Sequence, residues 1–261
     1  MYRDCKAILF DAVGTLIYPD PAVAVAYYQA GFEYGSRLSV SNIRTRFRDA
    51  FSRQESTDRA KTAVDHDTTT EYVPEPPPLG PDKCAQSICL DRQPTSESRE
   101  RNRWRQIIQD VFEDVPQADQ GLFSQLWQHF GQSHNWSLFD DVEVLWSRLR
   151  STGRVLGIAS NFDSRLSAIC RKLPPLDHAS SVFCSSDIGF PKPSPHFFRE
   201  IESRLHMRPC EILLVGDDWE NDLCGALAAG WHGLHLDRSA THDDQHTITS
   251  LEELLAVLAC E

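Results

Sequence analysis

The stretch Lys6-Ala-Ile-Leu-Phe-Asp11-Ala-Val-Gly14-Thr15-Leu-Ile17 decides how the rest of the chain is organised. It begins as a short apolar run bounded by polar residues, the pattern of a strand buried on both faces of a sheet. The run is followed by a carboxylate, Asp11. A glycine three residues later lets the backbone turn tightly and approach a ligand. Ligands of open α/β sheets bind outside the carboxyl ends of the strands, so Asp11 is a candidate site residue. An ordinary strand end with a capping aspartate is the alternative for this segment alone.

Three later segments carry further candidate site residues. The apolar run 154–159 ends in Ser160 and Asn161, two small hydrogen-bonding residues. The segment Phe190-Pro-Lys192-Pro-Ser-Pro195 places one lysine in a loop that its prolines stiffen, just before a helix. The apolar run 212–215 ends in the acidic cluster Gly216-Asp217-Asp218-Trp-Glu-Asn-Asp222.

Together these residues suit a phosphate site beside a metal ion. Carboxylates gathered in one cleft repel each other, so some of the four aspartates must be protonated or a cation must join them. Oxygen ligands with no Cys or His partner suit Mg²⁺, which commonly combines one or two carboxylates with substrate phosphate. Lys192 adds a positive charge, Ser160 and Asn161 add donors for oxygens, and Asp11 is placed to attack. The alternative is a set of unrelated capping and turn residues.

From about residue 138 onward, strand and helix patterns alternate. Strands are predicted over 154–160, 180–185, 211–217 and 232–236, and helices over 140–150, 164–173, 195–205, 221–229 and 251–259. Such alternation predicts an α/β fold, a Rossmann-like doubly wound parallel sheet with helices on both faces. Residues 1–17 and 138–261 would form this core domain.

The region 18–137 has helical patterns and no strand pattern, so we predict an all-helical inserted domain. The stripe of Ile43, Phe47, Ala50 and Phe51 recurs at helical spacing, which predicts a core face and not a ligand site. Composition changes over 58–97, where proline, serine, threonine and charge replace periodicity, and this predicts a flexible insertion. The arginines at 99, 101, 103 and 105 alternate between helix faces, which favours a solvated face, although one of them could reach the site.

Composition limits the function further. A chain of 261 residues with 41% hydrophobic residues can bury one sizeable core or one core with a smaller domain. Its net charge of −12 argues against a nucleic-acid partner, and no long apolar run predicts a membrane span. The first residues run straight into a strand, so we expect no signal peptide and a cytoplasmic location. The eight cysteines lack metal-ligand spacing and are expected to be buried free thiols. The sequence does not predict an oligomeric state.

The ordered set of strand-end Asp, strand-end Ser-Asn, loop Lys and strand-end Gly-Asp resembles the four motifs of the haloacid dehalogenase (HAD) superfamily. The resemblance covers residues 6–17 and about 138–236. The position of the helical insertion is similar to that of a C1-type cap, a lid over the core site in that superfamily. The run Ser160-Asn-Phe-Asp163 is similar to the second motif of one of its subgroups.

The resemblance implies roles for the candidate residues. It makes Asp11 the nucleophile, which forms an aspartyl-phosphate and ligates Mg²⁺ together with the backbone oxygen of Val13. Asp217 becomes the second metal ligand, with Asp218 or Asp222 holding metal-bound water. Contacts to the phosphoryl group are implied for Gly14 and Thr15 in the turn, for Ser160, for the amide of Asn161 and for Lys192.

One position departs from the pattern of HAD phosphatases. They usually carry a second Asp two residues after the nucleophile, as general acid and then base, and this chain has Val13 there. A positioned acid/base contributes about 10²–10⁴-fold to the rate. The expected function is therefore a Mg²⁺-dependent phosphatase on a small phosphorylated metabolite, with slow turnover unless a cap residue supplies the proton or the substrate leaves readily. The alternatives are a phosphate-binding or regulatory protein with an impaired site, and a metal-independent 2-haloacid dehalogenase.

Overall fold

The central feature of the computed structural model is a six-stranded sheet in which all paired strands run parallel. The structure describes residues 2, 4–63, 92–116, 119–240 and 245–259. Its strands are β1 (Ala7–Phe10), β2 (Ile17–Pro19), β3 (Trp136–Leu138), β4 (Val155–Ser160), β5 (Ser181–Cys184), β6 (Ile212–Gly216), β7 (His232–Leu236) and β8 (Thr247–Ile248). The sheet order is β5-β4-β1-β6-β7-β8. Every residue of β1 and β6 is buried, which explains why both segments are continuous apolar runs.

Helices cover both faces of the sheet, as expected for a doubly wound fold. In chain order the helices are α1 (Val23–Glu33), α2 (Val40–Ala63), α3 (Glu97–Val111), α4 (Asp119–His129), α5 (Val142–Arg150), α6 (Arg165–Cys170), α7 (Ser185–Ile188), α8 (Pro195–Leu205), α9 (Gly225–Ala228) and α10 (Leu251–Ala259). One buried cluster includes Phe10 and Trp146, and a second on the other side of β1 includes Leu9 and Phe197. The predicted α/β fold with a parallel sheet is confirmed.

Helices α1 to α4 form a layer with a hydrophobic cluster of its own, which we call the helical layer. Tyr27, Ile43, Ile108 and Phe123 are buried in that cluster. The chain leaves the sheet domain through β2 and returns through β3, and these two strands pair antiparallel, with Ile17 opposite Leu138. The sequence reasoning did not predict this ribbon, because each of its strands is only three residues long.

Three predicted boundaries differ from the structure. The predicted helix 221–229 begins instead as a π-helical turn, Trp219–Cys224, before α9. The segment 58–97, predicted to be a flexible insertion, has structure at both ends: α2 continues to Ala63, and residues 92–97 contact the sheet domain, for example through Arg92 and Glu220, whose side chains are 2.9 Å apart. Its flexibility stays a prediction. The remainder of that prediction, 64–91, lies outside the described residues.

The cysteines only partly match their prediction. Cys5, Cys170 and Cys184 are buried thiols, and burial raises the pKa of the Cys170 and Cys184 thiols to about 12. Cys210 is free but exposed, and Cys224 is disulfide-bonded, so the prediction of buried free thiols is wrong for these two residues. Within the described ranges, no helix has both the length and the apolar character that crossing a bilayer requires.

Candidate active site

The candidate site residues meet at the carboxyl ends of three adjacent strands. Strand β1 lies between β4 and β6, so Asp11 after β1, Ser160 at the end of β4 and Asp217 after β6 lie side by side. The backbone N–H of Asp11 still donates to the Val215 carbonyl at 2.9 Å, which fixes Asp11 to the neighbouring strand. The parallel sheet thus brings together residues that are about 150 and 200 positions apart in the sequence.

Lys192 is the buried cation of this site. Its ammonium donates to Asp11 Oδ1 at 2.8 Å, to the Ala159 carbonyl at 2.8 Å and to Asp222 Oδ1. An ammonium group has three N–H donors, so these three acceptors satisfy it completely. Burial alone would lower the pKa of Lys192, but the nearby carboxylates of Asp11 and Asp222 outweigh burial, and the net pKa is raised. Lys192 is therefore a fixed positive charge.

Three carboxylates surround this charge. Asp11, Asp217 and Asp222 each place an oxygen within 4.8 Å of the others, and Asp11 and Asp222 are buried. Asp218 does not join them. Its Oδ1 accepts from the backbone N–H groups of Glu220 and Asn221, both at 2.9 Å, so it caps the π-helical turn. Geometry thus groups Asp222, and not Asp218, with Asp11 and Asp217, and support of a metal ion by Asp222 stays a prediction.

Burial and neighbouring negative charge raise the pKa values of two of these carboxyl groups. Loss of solvation within the cleft, followed by the negative charge of Asp11, raises the pKa of Asp217 to about 6, while the hydrogen bond from Thr15 acts in the opposite direction. Burial raises the pKa of Asp222 to about 7, with Lys192 acting in the opposite direction. Three carboxylates and one ammonium leave a charge of −2 when all are ionised. These residues therefore fit a divalent cation, which would relieve the repulsion.

Two glycines make this close arrangement of carboxylates possible. Gly14 has a φ of +93°, and a Cβ atom there would overlap the Asp217 carboxylate. A Cβ atom at Gly216 would overlap the carboxylate of Asp222. Any larger residue would displace a carboxylate from the cluster, so the glycines that the sequence places at both strand ends have a steric cause.

Other predicted site residues position their neighbours. Thr15 Oγ1 donates to Asp217 Oδ1 at 3.0 Å. The side chain of Asn161 and the backbone of Lys192 form a reciprocal pair, with Lys192 N donating to Asn161 Oδ1 at 2.7 Å and Asn161 Nδ2 donating to the Lys192 carbonyl at 3.0 Å. Gly14 and Thr15 do not line the cavity above the site, whereas Val13, Ser160 and Asn161 do. Direct contacts of these five residues with a ligand stay predictions.

A cavity of about 390 Å³ extends from these strand ends into the helical layer. We call its base the polar floor, formed by Asp11, Ser160, Lys192, Asp217 and Asp222. Its opposite side, which we call the aromatic wall, consists of rings carried by the helical layer: Tyr27, Phe47, Phe51, Trp104, Trp127 and Phe130. Phe47 and Phe51 pack against the buried cluster of the helical layer, as the predicted core face requires, and both also line the cavity. Their stripe partners Ile43 and Ala50 are buried as predicted.

Charged residues lie beside the wall: one arginine of the 99–105 series, as the sequence allowed, and Arg165, which no sequence pattern assigned to the site. Arg165 lies with its guanidinium 3.4 Å from the centre of the Trp127 ring and donates to both carboxylate oxygens of Asp163 at 2.7 Å. Arg103 is the member of the arginine series that lines the cavity. Arg101 is exposed, as the solvated face predicts, with its guanidinium over the ring of Phe123, whereas Arg105 lies over the same ring and is only partly exposed. The only available signal was the number of aromatic residues in these helices, and that signal does not separate a cavity wall from a core.

Comparisons with known proteins agree with this geometry. The family model described as haloacid dehalogenase-like hydrolase matches residues 5–230. Haloacid dehalogenase-like hydrolase domain-containing protein 3 of Mus musculus is 31% identical over 170 residues, which is 60% of this chain and 68% of that protein. Ribulose-1,5-bisphosphate 5-phosphatase of Halopiger xanaduensis is 31% identical over 108 residues, 41% of this chain and 45% of that protein. The solved structure of the defluorinating L-2-haloacid dehalogenase Rha0230 has a TM-score of 0.67 at 15% identity, covering 98% of this chain and 95% of that one. A likeness at that level of identity concerns the fold alone.

Proposed function

Because this chain belongs to the haloacid dehalogenase-like hydrolases, we propose that it is a Mg²⁺-dependent phosphatase that acts on a small phosphorylated metabolite through Asp11. The observation that carries this proposal is the polar floor: three carboxylates gathered around one fully satisfied lysine. A phosphatase relative, the Halopiger enzyme, supports the reaction class. The helical layer would act as a C1-type cap over the site.

The metal would be held by the three carboxylates of the floor. Asp11, Asp217 and Asp222 supply oxygen ligands, the donor type that Mg²⁺ prefers, and the backbone oxygen of Val13 is the fourth candidate ligand. When bound, Mg²⁺ would offset the negative charge of the phosphoryl oxygens beside the attacking carboxylate. Asp218 would contribute by capping the turn that carries Asp222.

Asp11, Lys192 and Ser160 would carry out the chemical steps. The Asp11 carboxylate attacks phosphorus and becomes an aspartyl-phosphate, while the bond to the leaving oxygen breaks. Lys192 holds Asp11 in place and offers its positive charge to the phosphoryl oxygens. Ser160 lines the same end of the cavity and can donate to one of those oxygens. Water then attacks the intermediate, which releases phosphate and restores Asp11.

Two alternatives come from specific residues. Val13 favours a protein that binds phosphate and turns over little, because it cannot transfer a proton. A metal-independent 2-haloacid dehalogenase would share Asp11 and Lys192. However, its anionic substrate would meet the carboxylate of Asp217 without a metal ion to offset it, and the net negative charge of the floor opposes that reaction.

One experiment separates these functions. The purified full chain is tested for phosphate release from a panel of phosphorylated metabolites that includes acetyl phosphate, with Mg²⁺, with EDTA, and with EDTA followed by excess Mg²⁺. We expect turnover that EDTA abolishes and Mg²⁺ restores. Halide release from 2-chloropropionate that persists in EDTA would support the dehalogenase instead. Calorimetric binding of phosphate in Mg²⁺ without any turnover would support the binding protein.

A further inference from the structure

The aromatic wall and Val13 together carry information about the leaving group of the substrate. The cavity is continuous from Asp11 to the rings of the helical layer, so a molecule with its phosphate on the floor would place its other end against those rings. A volume of about 390 Å³ lies within the range of pockets that enclose small molecules. The wall is therefore the surface that meets the part of the substrate that leaves.

The wall is built to receive a flat apolar group. Its rings are ordered against one another: Tyr27 and Phe47 pack edge to face with centroids 5.3 Å apart, and Phe47 stacks on Phe51 and Trp104 at 6.0 Å and 6.3 Å. Aromatic faces arranged in this way favour another ring in an offset or edge-to-face position. A polyol would lose its hydration there without equivalent hydrogen bonds in return.

The charges near the wall do not favour a second anionic group on the substrate. Away from the floor, the charged residues that line the cavity are two arginines, Arg103 and Arg165, and four carboxylates, Glu55, Glu100, Asp163 and Asp218. Arg165 forms a bidentate pair with Asp163, and Arg103 Nη1 lies 3.7 Å from Glu100 Oε2. Both cations are thus matched by protein carboxylates. A leaving group with its own phosphate or carboxylate would meet a slightly negative surface.

Val13 requires in addition that the leaving group depart without a proton from the protein. It lines the cavity next to Asp11 and provides no proton for the departing oxygen. An alkoxide is a poor leaving group without protonation, whereas a phenolate carries its charge well enough to leave without a positioned acid. The electron pair of the broken P–O bond would stay on the phenolate, which takes its proton from water after departure. An aromatic alcohol satisfies both the wall and this requirement.

We propose that the substrates are aryl phosphates, that is, phosphate monoesters of phenols that carry no other charged group, with the ring against the aromatic wall. This inference rests on the proposed phosphatase function and deepens it by naming the class of leaving group. Burial against the wall would favour a leaving group that contains an aromatic ring. The lack of a proton donor at position 13 would favour an alcohol acidic enough to leave as its anion.

The test compares matched substrates on the full chain in saturating Mg²⁺. Acetyl phosphate, which has a good leaving group and no ring, reports the phosphatase chemistry alone. Benzyl and methyl phosphate have alcohols of similar acidity and differ by the ring, while phenyl and benzyl phosphate both carry a ring and differ in acidity. We expect kcat/KM for benzyl phosphate to exceed that for methyl phosphate by at least about tenfold, the effect of roughly 1.4 kcal/mol of added binding. Phenyl phosphate should exceed benzyl phosphate by at least a further factor of about 100, the range of a missing general acid.

Variants of the wall test the location of the ring. Trp104→Ala should lower the ratio of kcat/KM for phenyl phosphate to that for acetyl phosphate by about tenfold, and Trp104→Phe, which keeps a ring, should lower it less. The matched control is Phe32→Leu, an exposed aromatic residue of the same helical layer that does not line the cavity, and the ratio should not change there. Thermal unfolding of each variant establishes that it is folded.

The outcomes separate the two levels of the proposal. No Mg²⁺-dependent hydrolysis of any of the four substrates, acetyl phosphate included, would overturn the phosphatase itself. Hydrolysis of acetyl phosphate with equal kcat/KM for benzyl and methyl phosphate would overturn the aryl class alone. An unchanged ratio in both Trp104 variants would likewise show that the ring does not bind at the wall.

Discussion

The polar floor and the aromatic wall enclose one cavity but are held together by different interactions. On the floor, Lys192 has three polar partners, and glycines at positions 14 and 216 leave room for the carboxylates of Asp217 and Asp222. In the wall, rings such as Tyr27 and Phe47 hold each other by packing. Charge pairs and hydrogen bonds are directional, whereas packing of rings depends mainly on shape and area. If the proposed function holds, directional contacts on the floor would position the reacting groups, and shape-dependent packing in the wall would select the leaving group.

The strongest test of the floor is the loss of its nucleophile. Asp11→Asn should reduce turnover by at least about 10³-fold, because an amide cannot form the phosphoryl-enzyme intermediate. Phosphate release from acetyl phosphate in Mg²⁺ measures the effect. Asp140→Asn, the same change at an exposed position, is the matched control and should retain full activity. Turnover above about one percent of the unmodified chain in the Asp11 variant would remove every covalent mechanism from consideration.

The next test adds to the floor the group that it lacks. Val13→Asp should raise kcat for benzyl and methyl phosphate by at least about tenfold at saturating Mg²⁺, because a carboxylic acid could then protonate the alkoxide. Phenyl phosphate should gain less in its first step. Val13→Asn has nearly the same shape without an ionisable proton and should give no gain. If the aspartate and asparagine variants behave alike on both alkyl phosphates, the missing acid does not limit the rate.

A third test concerns the support of the sheet domain behind the floor. Asp141 accepts from Arg238 Nη1 and Nη2 at 2.8 Å and 3.0 Å and from the backbone N–H of Leu251 at 2.9 Å, and Arg238 also donates to the Thr15 carbonyl. We expect Asp141→Asn to lower Tm by about 4–8 °C, because losing a charge-assisted pair costs about 2 kcal/mol in the free energy of unfolding. Glu143→Gln, at an exposed position on the same helix, is the control.

The pH dependence of this effect has a defined sign. Burial acts to raise the pKa of Asp141, but the hydrogen bonds from Arg238 and Leu251 outweigh burial, and the net pKa is lowered. A carboxyl group with a lowered pKa in the folded state stabilises the fold above its unfolded pKa, and that contribution is lost as the pH falls towards the folded pKa. The difference in Tm between the two proteins should therefore be full near pH 6 and shrink below about pH 4. A difference that grows on acidification would contradict this assignment.

The smallest expected effect lies at the junction between the helical layer and the sheet domain. Glu97, the first residue of α3, accepts from the backbone N–H of Ser164 at 2.7 Å and from the hydroxyl of Ser186. Glu97→Ala should lower Tm by about 2–4 °C, which corresponds to roughly 1 kcal/mol. It should also raise KM for phenyl phosphate more than KM for acetyl phosphate, since only the ring needs the wall. Glu97→Gln keeps one acceptor oxygen and should show a smaller change, and equal changes in both KM values would mean that this contact does not position the wall.

Local sequence patterns were sufficient for the fold and for most of the floor. Apolar runs that end in Asp11, Ser160 and Asp217 predicted buried parallel strands, and such strands bring their carboxyl ends to one edge whatever the rest of the chain does. Lys192 was a candidate because it stands in a loop that prolines stiffen just before a helix, and the structure places it against Asp11. The departure at Val13 was also readable from the sequence alone.

Only the tertiary structure decided which residues form the wall. Phe47 and Ile43 belong to the same helical stripe, yet Phe47 lines the cavity and Ile43 is buried in the cluster. The role of Asp218 as a cap and of Asp222 as a partner of Lys192 was equally undecided, as was the contact of Glu97 with the sheet domain. Periodicity states which side of a helix is apolar, but not whether that side meets another side chain or an open space. That outcome depends on how distant segments pack against each other, and no local pattern contains it.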